Sequence, residues 1–268
     1  MPEGHILHRL AAENLRAFGG RPVAVASPQG RFAEGAALLD GRTLDAAEAD
    51  GKHLFLGFGD SWLHIHLGLY GAFSFGAGPA PAPVGLIRLR LENAEHHADL
   101  RGPTTCELIT PAEKDAVHAR LGPDPLRADA DPQAAWQRIS RSRSTVAALL
   151  MDQKVLAGVG NVYRAEVLFR HAISPHRAGR DLSRAEWDAI WGDLVELMHG
   201  GAAIGRIDTV RPEHTPEAMG RPPRVDDHGG EVYVYRRAAM PCLVCGTEIR
   251  TESHAARNLF WCPRCQQA

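Results

Sequence analysis

Lysine is scarce in this chain. Of its 30 basic residues only Lys52, Lys114 and Lys154 are lysines, and arginine supplies the other 27. In so arginine-biased a sequence each lysine invites a question, with residual codon usage as the plain alternative. Long apolar runs are missing too: none approaches the roughly 20 residues needed to span a bilayer. The opening "MPEGHILHRL" interleaves Glu3, His5, His8 and Arg9 with apolar residues, so it lacks a signal-peptide core. No membrane partner is expected, and the cytoplasm is the expected location. Cysteine is nearly absent before residue 242, where only Cys106 occurs. No internal repeats are visible.

What is present fits a folded protein of two compact domains. The chain has 268 residues, 44% hydrophobic and 23% charged, enough to bury a large core. The net charge of −2 at first argues against a nucleic-acid partner, but it is unevenly distributed: residues 1–135 carry −5 and residues 136–268 carry +3. A mildly basic second half suggests one face, not a whole molecule, for a polyanion.

The remaining four cysteines crowd into the last 27 residues as C-x2-C-x16-C-x2-C, formed by Cys242, Cys245, Cys262 and Cys265. Two such knuckles present four thiolates to one tetrahedral ion, and the stretch between them is long enough for a β-hairpin. Two disulfides are the competing reading. The missing signal peptide and the odd fifth cysteine favour zinc. With four protein thiolates as ligands, the Zn2+ is expected to be structural, not catalytic. Cys106 reads as a buried small side chain.

Ahead of the cysteines the sequence divides into parts. "EGHILHRLAAENLRAF" has a helical pattern. Short apolar runs broken by Gly and Pro follow, such as "KHLFLGFG", "SWLHIHLGLYGAFSF" and "GLIRLRLEN". Their period-two alternation predicts strands of a β-sandwich or barrel. A Pro- and Asp-rich stretch, "LGPDPLRADADP", reads as a linker. Helical patterns come next, and residues 205–230, rich in Pro, Gly and charge, are expected to form a long, mobile loop. The fold class is α+β: an N-terminal β-sandwich with a leading helix, a C-terminal helical domain with a helix–two-turn–helix, and a terminal zinc-ribbon β-hairpin. The expected domains span residues 1–122, 136–237 and 238–268, with a linker over 123–135.

Within the helical part stands "ALLMDQKVLAGVGNVYRAEVLFR", residues 148–170. Its pattern predicts a helix to Asp152, a connection containing Gly158 and Gly160, and a second helix capped by Asn161. The glycines let backbone approach a ligand closely, and N–H groups at that helix start suit a phosphate. A dinucleotide-binding loop is ruled out, because a helix precedes the glycines and Tyr163 stands where a third glycine is needed. A plain αα-hairpin with glycines at its turn explains the same stretch equally well.

Four motifs, in order, carry a resemblance over essentially the whole chain: the N-terminal "PEG", the lysine of "GKHLFLGF", "AGVGNVYRAEVLFR" and "ARNLFWCPRCQ". Together they resemble the formamidopyrimidine-DNA glycosylase/endonuclease VIII family. "HLGLYGAF" and "PEGH" look more like the endonuclease VIII branch, especially its actinobacterial members.

The resemblance implies specific roles. Met1 is removed and the secondary amine of Pro2 becomes the nucleophile; a free α-amine titrates near 7.7–8.0, so a fraction is neutral and reactive. Glu3 handles protons on the sugar oxygen and leaving groups. Lys52 contacts phosphate beside the lesion. Asn161 and the Gly158–Gly160 turn bind the backbone around an extruded nucleotide, and Arg257, on the zinc hairpin, grips phosphate. Such groups position the strand and carry little sequence information. Leu69 and Tyr70 fill the gap that the flipped base leaves in the stack; core residues at a strand end are the competing reading. His64 and His66 share one strand face without an apparent third metal ligand, which leaves His66 as a candidate near phosphate. Arg138, Arg141 and Arg143 are further phosphate candidates. Two departures from relatives stand out: Gly68, where a larger polar residue is common, and Ile6, where formamidopyrimidine relatives carry a carboxylate.

The expected function is therefore a bifunctional DNA glycosylase/AP lyase of base excision repair. It would be a bacterial, nucleoid-associated monomer acting on double-stranded DNA with oxidised bases, pyrimidines first, or abasic sites. The alternatives are a non-catalytic zinc-ribbon DNA-binding protein on the same scaffold and a glycosylase preferring oxidised purines.

Overall fold

The computed structural model describes residues 2–226, 230–254 and 257–267. The chain divides into two compact units, residues 1–120 and 121–268.

The first unit opens with α1 (Gly4–Phe18), whose apolar residues Leu7, Leu10, Ala11 and Phe18 recur at helical spacing and are all buried. After α1 come β1 (Ala24–Ala26) and a short α2 (Ala33–Leu39), then β2 (Ala46–Asp50), β3 (His53–Phe58), β4 (Ser61–His66), β5 (Ala72–Ala77), β6 (Ile87–Glu92), β7 (His96–Arg101) and β8 (Thr105–Ile109). The strands form two antiparallel four-stranded sheets, ordered β1-β6-β7-β5 and β2-β3-β4-β8. Leu54, Leu56, Leu63 and Ile65 from one sheet and Leu89, Leu91, Ala98 and Leu100 from the other share one core with α1. Alternation along each strand puts these residues on a single face. α3 (Pro111–His118) closes the unit, with Thr110 and Glu113 forming a capping box.

The alternation read in β6 holds for Ile87, Leu89 and Leu91, which are fully buried, but fails at Arg90. That guanidinium is buried opposite Asp99, with paired hydrogen bonds of 2.7 and 2.9 Å. A buried arginine persists because its fork is matched by a carboxylate; the Asp99 carboxyl, though burial opposes it, is held below its ordinary range by Arg90 and Arg101.

The second unit holds α4 (Pro132–Ile139), α5 (Val146–Met151), α6 (Asn161–Arg170), α7 (Arg184–Ile204), a one-turn α8 (Pro216–Met219) and the hairpin β9 (Arg250–His254) and β10 (Arg257–Trp261). α6 is buried along nearly its whole length. α8 and a preceding 3-10 turn, Pro212–His214, interrupt the stretch read as a continuous loop. Among the described residues no helix is long and apolar enough to cross a membrane.

Candidate active site and nucleic-acid interface

In the first unit the candidate residues sit at the ends of packed elements. Glu3 is the N-cap residue of α1, with extended backbone, and is fully buried, while Pro2 beside it is half-buried. Helical structure thus begins at Gly4, directly after Pro2 and Glu3. α1 packs against β2 and β3. Lys52, half-buried, lies with Gly51 at the tip of the hairpin joining those two strands, where Gly51 has φ +57°. Met1 lies outside the described residues. Ile6 is half-buried against the sandwich core.

A ladder of aromatic side chains follows on the same sheet. Cross-strand register pairs His53 with His66 and Phe55 with His64. His53 Nδ1 and His64 Nε2 share a hydrogen bond of 2.9 Å, and His64 Nδ1 bonds Glu107 Oε1 at 3.0 Å. His118 Nδ1 meets Asp50 Oδ2 at 2.5 Å. Burial, reinforced by the neighbouring imidazoles, depresses His53 to about 3. Burial also lowers His64 and His66. The sequence reading missed His53, because its partner lies eleven residues away and only strand pairing brings the rings together. The rings of His53, Phe55 and His64 stack on one another; among the described residues the one cluster arranged to hold a metal is the cysteine set.

His66 Nδ1 accepts the Gly68 amide at 3.1 Å, placing its ring under the turn that carries Leu69 and Tyr70. Both are exposed, Leu69 by 42% and Tyr70 by 89%. Large apolar side chains so exposed are not strand-end core. Gly68 has φ +68°, and a Cβ there would overlap the Thr104 hydroxyl, so the backbone favours glycine and a side chain would be strained at the departure noted in the sequence.

The lysines acquire different accounts. Lys114 donates to Glu48 at 2.7 Å and lies 3.7 Å from the Trp62 ring, a structural cation–π position. Lys154 is exposed, its amide donating to Asp152. Arg138 donates to the Lys154 carbonyl.

In the second unit Gly158 turns with φ +82°, and its amide donates to Gln153 Oε1 at 3.1 Å. Asn161 does not cap α6, contrary to expectation: Gly160 is the N-cap residue and Asn161 is the first helical residue. Its side chain reaches across to β10, Nδ2 donating to the Asn258 carbonyl at 2.9 Å, while Oδ1 accepts from Arg164. The amide thus fastens the helix start to the strand that begins with Arg257, which is half-buried. Sequence reasoning also missed Glu166, fully buried on α6. Its carboxylate accepts from Thr209 Oγ1 at 2.6 Å and from the amides of Tyr233, Val234 and Tyr235 at 2.6, 2.9 and 2.8 Å.

The four cysteine sulfurs lie within 4.8 Å of one another, with Cys242–Cys265 at 3.9 Å and Cys245–Cys262 at 3.5 Å. Tetrahedral Zn–S bonds of about 2.3 Å require sulfurs about 3.8 Å apart, so the thiols fit one zinc ion. The four cysteines form the site of one structural zinc.

Family models account for three stretches of the chain. The formamidopyrimidine-DNA glycosylase N-terminal domain matches residues 1–106, the formamidopyrimidine-DNA glycosylase H2TH domain residues 121–211, and the zinc finger found in FPG and IleRS residues 241–268. Endonuclease 8 1 of Mycobacterium tuberculosis strain H37Rv is 55% identical over 99% of this chain and all of the relative. Endonuclease 8 of Escherichia coli K12 is 30% identical over 99% of this chain and its own full length. In fold, the chain matches Lactococcus lactis Fpg solved with abasic-site DNA, with a TM-score of 0.79 and 23% identity over 99% of this chain and all of that one. The chain therefore belongs to the formamidopyrimidine-DNA glycosylase/endonuclease VIII family, the DNA glycosylase/AP lyases of DNA repair.

Proposed function

We propose that this enzyme removes oxidised bases, pyrimidines first, from double-stranded DNA through a Schiff base on Pro2, then nicks the strand by β,δ-elimination, acting also at abasic sites. The observation that carries this reading is Pro2–Glu3 at the very start of α1, on the helix that packs against the hairpin tipped by Lys52.

With Met1 removed, the Pro2 lone pair forms a bond to C1′ as the glycosidic bond breaks; the base leaves with the electrons of the broken bond and takes up the proton that the Pro2 nitrogen gives up. Sugar opening, with O4′ protonated by Glu3, gives the iminium. The iminium acidifies the C2′ proton, whose loss expels the 3′ phosphate, and a second elimination expels the 5′ phosphate. No metal is required, and the zinc holds only the terminal hairpin. Lys52 contacts phosphate beside the lesion. Asn161, Gly158, Gly160 and Arg257 hold the flanking backbone, and Leu69 and Tyr70 occupy the vacated stack. His66 remains a candidate beside phosphate through its other ring nitrogen. The helical part spans 136–237 and the zinc finger 238–268. A bacterial cytoplasmic location, at the nucleoid during action, and a monomeric state go with this reading.

Borohydride trapping on lesion-containing duplex tests it. A covalent adduct is expected, weakened by Pro2→Gly and abolished by an N-terminal extension. No adduct on any lesion would leave the non-catalytic DNA-binding alternative. A panel of oxidised pyrimidines and purines in the same assay decides the preference.

A further inference from the structure

Three loops meet at one end of the sheet β2-β3-β4-β8. Register pairs His53 with His66 and His66 with Thr105, so the Gly51–Lys52 tip, the 67–71 turn and the segment 102–104 emerge side by side. The 67–71 turn crosses from β4 in one sheet to β5 in the other, closed by the Gly71 amide on the Leu67 carbonyl at 3.0 Å. Two contacts tie the neighbouring loops to His66. The Gly68 amide donates to His66 Nδ1, and the Thr104 amide donates to the His66 carbonyl at 2.9 Å. One residue therefore grips both neighbouring loops, through its ring and its backbone.

We propose that His66 is the positioning residue for void filling: its Nδ1 lone pair, held toward the Gly68 amide, presets the turn so that Leu69 and Tyr70 stand outward before DNA arrives. This inference rests on the reading of Leu69 and Tyr70 as wedge residues. The ring must be neutral with its proton on Nε2, because a protonated Nδ1 would oppose the Gly68 N–H. Burial, His64 and Lys52 all lower the His66 pKa and keep that lone pair available. A side chain at 68 would be strained, so the turn draws its rigidity from the ring beneath it. A preset turn avoids the ordering cost of forming the wedge during base extrusion.

The test is single-turnover cleavage of one abasic-site strand, presented as duplex and as single strand, because only the duplex leaves a void to fill. His66→Ala is expected to lower the duplex-to-single-strand rate ratio about fivefold, the worth of one backbone hydrogen bond. His66→Asn, whose Oδ1 can occupy the Nδ1 position, is expected to restore most of that ratio. Equal losses on both substrates, an unchanged ratio, or failure of Asn to rescue would overturn the proposal. Leu69→Ala combined with Tyr70→Ala separates the two readings. If that pair leaves the ratio unchanged the wedge itself is wrong, whereas a lowered ratio with normal His66→Ala rejects only the role of His66.

Discussion

The side-chain amide of Asn161 donates to the backbone carbonyl of Asn258 at 2.9 Å, so the first residue of α6 is tied to the strand that begins with Arg257. The helix start and the zinc hairpin act as one support. Asn161→Asp keeps the size and the Arg164 partner but replaces the donor with an oxygen facing a carbonyl. DNA affinity, measured by fluorescence anisotropy at fixed salt, is expected to fall about tenfold, whereas Asn161→Gln is expected to fall less. Arg257→Ala is expected to weaken binding similarly and to reduce the salt slope by about one counterion.

Zinc release tests the other side of that support. Cys245→Ala, or chelation, is expected to free one zinc per chain, loosen the terminal hairpin and alter Trp261 fluorescence. DNA binding should go with it while the circular dichroism of the sandwich strands is retained. A variant keeping both metal and affinity would refute the assignment.

Glu166 offers a stability measurement. Four donors converge on its carboxylate from both ends of the 209–235 segment. Glu166→Gln turns an NH2 toward N–H groups and removes a charge-assisted acceptor, at a cost of about 2–4 kcal/mol. Faster proteolysis within residues 210–232 is expected, measured against the unaltered first unit.

Acid should weaken the first unit through its histidines. His53 titrates at about 3 in the fold and near 6.5 when unfolded, so the unfolded chain binds more protons between those values. Stability is fully present above about pH 6.5 and declines as pH falls toward 3. For one such imidazole the loss between pH 6.5 and 5 is at most about 2 kcal/mol. His5, lowered to about 4 by burial, adds to the same slope. Thermal unfolding from pH 7 to 5 should show the decline, and His53→Gln should flatten it.

Gly68→Ala checks the turn from its other side. The φ of +68° and the Thr104 hydroxyl both oppose a side chain, at a cost of about 1–2 kcal/mol. Thr104→Ser does not relieve the clash, and Thr104→Ala should relieve part of it. Because Leu69 is apolar and position 68 bears no side chain, cleavage opposite the four bases is expected to vary little.

The strongest motifs were legible in the sequence because each depends on local spacing: the two cysteine knuckles, the "PEG" start and the glycines before α6. Strands rich in branched and aromatic residues were legible too, as in β3 and β4. β2, "AAEAD", was not, because it lacks such residues and is a strand only by pairing with β3. Asn161 has the chemistry of a cap, but a tertiary partner on β10 claims its amide. Glu166 and Arg90 look like surface charges in one dimension; only distant donors and acceptors make their burial tolerable.

The three lysines occupy three different settings: one exposed, one clamped between a carboxylate and an indole, and one half-buried at a hairpin tip. That distribution turns scarcity into a chemical reporter. Acylation with an amine-selective reagent has few side-chain targets, so a mass spectrum of the labelled protein resolves each site by itself. Lys154 gives the reference rate and Lys114 the background. Any change at Lys52 on adding duplex is then read without crowding from other amines, a clarity that a lysine-rich homologue would not offer.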